Sequence, residues 1–128
     1  MRPRQRVSSG GRWEPLVGYS RAVRVGDTVW VSGCTAAGQD GVVVGRGDAY
    51  AQTAQAIRTM AVALEQLGLG LGHVVKTGVY LADMGQWEAV ARAHREAFGD
   101  VRPACTWVEC GTMIHPDMLV EIDAIAVD

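Results

Sequence analysis

Apolar and polar positions alternate from Ala22 onward: Val23 and Val25, then Gly26-Asp27, then Val29 and Val31. Period-2 alternation broken by a glycine-led pair predicts a β-hairpin turning at Gly26-Asp27. Ser32-Gly33-Cys34 ends its second strand, and a glycine-rich loop from Gly38 to Gly41 leads to a short third strand at Val42-Val43-Val44. The period then changes. Behind a candidate N-cap at Asp48, Tyr50, Ala54, Ile57, Met60, Ala61, Leu64 and Leu67 recur at helical spacing up to Gly68. The loop Gly68 to Gly72 is followed by a β-rich run, His73 to Leu81. A second helix, from Gly85 to about Phe98, carries Trp87, Val90, Ala91, His94 and Phe98 on one side. Two strands, at 103–110 and 118–127, close the chain. The predicted class is α+β, in the order β-β-β-α-β-α-β-β, with both helices on one face of a mixed sheet.

The last strand separates two faces. Val120, Ile122, Ala124 and Ala126 lie on one, and Leu119, Glu121, Asp123, Ile125 and Val127 on the other. Both are largely apolar, so the face without helices needs cover, and self-association is the natural source. Glu121 stands out in this run. A carboxylate inside an apolar strand is hydrogen-bonded, has a raised pKa, or faces a polar cavity. A partly desolvated glutamate exchanges protons near neutrality, which suits general acid–base work; a buried, purely structural carboxylate fits the same pattern.

The length, 128 residues, fits one domain. Arg2, Arg4, Arg6 and Arg12 crowd the start, and residues 1–12 are expected to form a flexible tail ahead of a single domain at 13–128. The formal net charge of −2 supplies no basic field for nucleic acid. No apolar run approaches membrane-spanning length, and no apolar segment follows the basic N-terminus as in a secretory signal. Cys34, Cys105 and Cys110 make an odd count without a Cys-x-x-Cys pair, which points to reduced thiols in a cytoplasm. His73, His94 and His115 lack zinc-ligand spacing, so neither a metal nor a cofactor is expected. Gly68 to Gly72 follows a helix rather than a strand and is a helix stop, not a dinucleotide loop.

Several strings together resemble the Rid (YjgF/YER057c/UK114) family of reactive-intermediate deaminases. They are Gly18-Tyr19-Ser20-Arg21-Ala22-Val23, Val29-Trp30-Val31-Ser32-Gly33, Ala51-Gln52-Thr53-Ala54-Gln55-Ala56, Val74-Val75-Lys76-Thr77 through Leu81-Ala82-Asp83-Met84, Arg102-Pro103-Ala104 and Val120-Glu121-Ile122. Singly each is weak; in this order and spacing they are specific, and they span about Gly18 to Val127. The resemblance implies a chorismate-mutase-like fold. It also implies a homotrimer whose sheets form an inner barrel, with small-molecule clefts between subunits. It further implies hydrolysis of an enamine or imine to a carbonyl and ammonia, with Glu121 positioning and activating water.

By the same resemblance, Tyr19, Ser32, Gly33 and Cys34 line the cleft, and Trp87 caps it from a neighbouring subunit. Trp107 reshapes the pocket, and Glu109, on the same strand face as Cys105 and Trp107, shares their cavity. The chain departs from the family at Cys105, where members usually carry a substrate-gripping arginine, and at Cys34, where many carry glutamine. A thiol cannot make a guanidinium's paired bonds to a carboxylate, so a non-standard substrate is expected. Cys105 is either a small lining residue or a chemical participant alongside Glu121; no histidine or cation stands beside it in the sequence to activate it. A dehydratase, cyclase or tautomerase of a biosynthetic pathway and a non-catalytic binding trimer are the alternatives. Ribonuclease activity is a weaker third reading, opposed by the acidic balance.

Overall fold

The computed structural model describes residues 1–128. One six-stranded sheet carries two main helices. In chain order the elements are β1 (Gln5–Val7), α1 (Trp13–Val17), β2 (Ala22–Val25), β3 (Thr28–Cys34), α2 (Ala49–Glu65), β4 (Val74–Leu81), α3 (Trp87–Phe98), β5 (Ala104–Glu109) and β6 (Val120–Val127). The strand order is β1-β2-β3-β6-β4-β5, antiparallel throughout except for the parallel pair β4–β5 that α3 connects. The last strand is therefore central, between β3 and β4.

Local chemistry sets most boundaries. The hairpin turn pairs Val25 with Thr28, and Gly26 takes φ +60°, which a two-residue turn needs and glycine adopts without cost. The Asp48 carboxylate accepts from the Ala51 N–H at 2.9 Å and caps α2. At the other end of α2, Gly68 sits at φ +78°, and the Leu69 N–H returns to the Leu64 carbonyl at 3.0 Å. Ala56, Ile57, Met60 and Leu64 of α2, with Val90 and Phe98 of α3, pack on Val120, Ile122, Ala124 and Ala126 of β6 in a single core. The opposite face of β6 is half-exposed along Glu121, Asp123 and Ile125, and beside it Trp30 is 47% exposed.

Two expectations need correction, and one element was not expected. Residues 5–7 of the expected tail form β1, paired with β2, and bury Val7. Polar Gln5 and Arg6 beside one apolar side chain suit an edge strand, and only the partner reveals it. The expected strand at Val42–Val44 is absent; Val43 makes an isolated bridge to Ala37, with Gly41 and Gly45 at positive φ on either side. An unexpected short helix, α1, is stopped by Gly18 at φ +91°.

Candidate functional site

A cleft of about 660 Å³ opens where the ends of β2, β3 and β6 meet α1 and the 110–118 loop. Its walls include Trp13, Tyr19, Arg21, Ser32, Gly33, Met113, Ile114 and Glu121. Two glycine-permitted features shape it. Gly18 turns the chain from α1 into Tyr19, and the missing side chain of Gly33 gives Glu121 its place. A Cβ on Gly33 would lie 2.6 Å from Glu121 Oε1 and 2.9 Å from its Cγ.

Burial raises the Glu121 carboxyl above its ordinary range; Arg21 lowers it and Asp123 raises it, without contribution from any hydrogen bond. The acid is therefore half-buried, unclaimed by neighbouring donors, and turned to a polar cavity. Asp123, two residues on, accepts from the Tyr80 hydroxyl at 2.9 Å and is a structural acid of the open sheet face.

Arg21 is the one arginine among the residues that line the cleft. Its Nη1 donates to the Gly33 carbonyl at 2.6 Å and its Nη2 to the Tyr19 hydroxyl at 3.4 Å. Glu14 lies 3.8 Å from Nη2. Burial pushes Glu14 up, but hydrogen bonds from Ser9 and Ser8 and the Arg21 charge outweigh it and hold the carboxyl low. Arg21 Nε is buried without a partner. The guanidinium thus fixes the Gly33 backbone and the Tyr19 hydroxyl together, two parts of the wall of the cleft that Glu121 also lines. Sequence reasoning began β2 at Ala22, where the structure also begins it, and left Arg21, the residue before it, out of the site. An arginine directly before an alternating apolar strand was the available signal.

Of the residues expected to form the site, the structure brings together Tyr19, Ser32, Gly33 and Glu121. Cys34 lies behind this wall in the core, its thiol pushed up to about 11 by burial. Cys105, Trp107 and Glu109 sit elsewhere in the chain. Cys105 pairs in register with Thr77, whose other neighbour is the buried Ala124, so Cys105 and Trp107 point to the helix side while Glu121 points to the open side. Glu109 accepts from the Met84 N–H at 2.8 Å, which anchors the turn before α3. Trp87, at the start of α3, is half-exposed and outside the cleft. In space, a histidine that the local sequence does not show comes near Cys105: His94 Nε2, on α3, is 4.0 Å from its sulfur.

The model of the family described as Endoribonuclease L-PSP matches residues 10–128. The chain belongs to the YjgF/YER057c/UK114 family. A solved structure of a family member from Mycobacterium tuberculosis superposes with a TM-score of 0.87 at 43% identity, covering 98% of this chain and 100% of that one. An uncharacterized protein of Streptomyces coelicolor is 41% identical over 95% of this chain and 90% of its own length. The 3-aminoacrylate deaminase RutC of Acinetobacter baylyi is 32% identical over 97% of this chain and 98% of its own. The six-stranded mixed sheet with two main helices is the architecture of the family.

Proposed function

We propose that the cleft hydrolyses the C–N bond of a small imine or enamine, releasing ammonia and a carbonyl compound. The observation that carries this reading is Glu121: a carboxyl raised by burial, free of hydrogen bonds that would fix its charge, and seated against the bare backbone of Gly33. An enamine first takes a proton at carbon and becomes an imine. Glu121 accepts a proton from water as the water oxygen bonds to the imine carbon. The resulting carboxylic acid returns that proton to nitrogen, giving a carbinolamine; the hydroxyl proton then passes through Glu121 to the same nitrogen, the C–N bond breaks, ammonia leaves, and the carbonyl forms. A raised pKa serves both halves of this exchange. Tyr19 and Ser32 orient the substrate, and Arg21 supplies positive charge in the wall. The relation to a 3-aminoacrylate deaminase supports the reaction class.

Cys105 in place of an arginine supports a substrate that is not gripped by its carboxylate at that position. Within one chain Cys105 and Glu121 lie on opposite faces of the sheet, so they share a cleft only across two copies. The proposed assembly is the homotrimer the resemblance implies, with the open face covered by other copies; exposed Trp30 and Val108 on that face support it. Trp87 would then reach a neighbour's cleft. Three free cysteines fit a reducing, cytoplasmic setting.

The test is ammonia release from 2-iminopropionate, 2-aminoacrylate and 3-aminoacrylate generated in situ, comparing the protein with Glu121→Gln. Turnover is expected in the first and a loss of about 10²-fold or more in the second. An undiminished rate in Glu121→Gln overturns the role of Glu121. Light scattering giving a monomer mass at micromolar concentration overturns the trimer.

A further inference from the structure

A buried ion pair stands behind the cleft wall. Glu14 is 3% exposed and the Arg21 side chain 9%. Donors of the segment ahead of α1 hold the Glu14 carboxylate: the Ser9 N–H at 3.3 Å, the Ser9 hydroxyl, and the Gly11 N–H at 3.2 Å. So held, Glu14 lies 3.8 Å from Arg21 Nη2. The guanidinium also reaches the Gly33 carbonyl, and Gly33 is the residue against which the Glu121 side chain lies. Arg21 and Glu121 line the same cleft, yet the bonds of Arg21 go to the 32–34 segment, Tyr19 and Glu14, and none goes to Glu121.

An arginine that shares a cleft with a carboxylate ordinarily pairs with it and holds it ionised. Glu121 escapes this, and Arg21 acts on it only as a charge at a distance. Two features nonetheless make the pairing available. Arg21 Nε is buried without a partner, so the guanidinium has an unused donor. Glu121 is also the carboxylate among the residues lining that cleft. A buried guanidinium that loses its counter-ion is costly, and a second carboxylate relieves it. The other groups around Glu121 do not compete for Arg21. Asp123, on the same strand, is engaged by Tyr80 of β4. The Cys34 thiol of β3 is pushed up to about 11 and is uncharged at neutral pH. From the 110–118 loop, Cys110 lines the cleft and contacts its neighbouring Gly111 carbonyl.

We propose that Glu14 is a positioning residue: as the counter-ion of Arg21 it keeps the guanidinium from pairing with Glu121 across Gly33, and so leaves Glu121 able to take and return a proton. The inference rests on the reading of Glu121 as the proton carrier. Glu14 itself does not line the cleft and acts through Arg21. Ser9 and Gly11 serve it in turn, so the segment ahead of α1 sets the charge state of a residue on the central strand.

The experiment reads the Glu121 carboxyl directly, by carbon NMR titration of the intact protein with isotope-labelled glutamate carboxyls. The signal is assigned from its loss in Glu121→Gln. In Glu14→Gln the Glu121 midpoint should fall by about one pH unit or more, as for a carboxylate that gains an arginine. In Arg21→Gln it should rise, because the charge that lowers it is gone. Combining Glu14→Gln with Arg21→Gln should reproduce Arg21→Gln alone, since Glu14 then has no guanidinium to hold. A midpoint unchanged or raised in Glu14→Gln overturns the proposal. So does a fall on removing Glu14 that persists when Arg21 is absent, because a merely structural role would move Glu121 with or without the arginine. Should Glu14→Gln fail to fold, Ser9→Ala decides the point, since it removes one bond that holds the Glu14 carboxylate. A lower Glu121 midpoint in it supports the proposal, and an unchanged one overturns it. The titration uses no substrate, so a failure of C–N hydrolysis would overturn the proton-carrier reading and leave this result to stand or fall by itself.

Discussion

Replacing Gln52 with methionine tests how the cleft is held to the core. Gln52 is fully buried on α2, and its side chain makes three bonds to backbone from two distant segments. Its Nε2 donates to the Gly45 carbonyl at 3.2 Å and to the Asp117 carbonyl at 2.9 Å, and its Oε1 accepts from the Leu119 N–H at 2.9 Å. The amide therefore ties the helix to the loop before it and to the entry of β6, immediately after the loop that walls the cleft. Methionine has nearly the same length and can make none of these bonds. Each hydrogen bond contributes roughly 1 kcal/mol net, and donors or acceptors left buried and unpaired cost more. Apolar packing of the methionine offsets part of this, so the expected loss is about 2–4 kcal/mol. For a domain of this size that is a fall in Tm on the order of 10 °C. Urea unfolding of both proteins at matched concentration measures it, since association would otherwise add to apparent stability. A loss below about 1 kcal/mol with an unchanged m value would refute the clamp.

Gly33→Ala should separate fold from chemistry. Gly33 does not occupy the left-handed region, so alanine fits its backbone, but the new Cβ displaces the Glu121 side chain. The expected outcome is near-wild-type stability with ammonia release down about 10²-fold; full turnover would contradict the geometry of the site. Glu121 should also make stability pH-dependent. Its folded pKa lies above the ordinary 4.5, so the folded chain holds the proton where the unfolded chain has lost it. Stability therefore falls as pH rises from about 4.5 through the raised value. Glu121→Gln removes that loss, so its stability relative to the unmodified protein should grow with pH across this window and be constant below it; denaturation midpoints measured from pH 4 to 8 that show a shrinking difference would reverse the sign.

Local chemistry written in the sequence determined most of the architecture. The Gly26-Asp27 turn, the Asp48 cap, the Gly68 stop and the split faces of the last strand all follow from short-range sterics and periodicity, and the structure places each as expected. Family motifs pointed to Tyr19, Ser32, Gly33 and Glu121, which the structure brings to one cleft; each sits in a string whose spacing is intact. Strand edges and side-chain neighbourhoods were not legible. Val42–Val44 is apolar enough for a strand, yet it has no partner strand to supply a ladder, while polar Gln5–Val7 has one in β2. Pairing is a property of two segments, and neither carries it alone.

The same limit explains the cysteine. The alternation of β5 puts Cys105, Trp107 and Glu109 on one side, but which side of the sheet that is depends on register with β4, and so on Thr77 and Ala124. His94 comes within reach of Cys105 only because α3 packs over the parallel β4–β5 pair. The chain thus determined its turns, caps and apolar faces through interactions spanning a few residues. Tertiary packing alone decided that Glu121 faces a cleft while Cys105 faces a histidine on the other side, because register and layer packing join residues that the sequence keeps far apart.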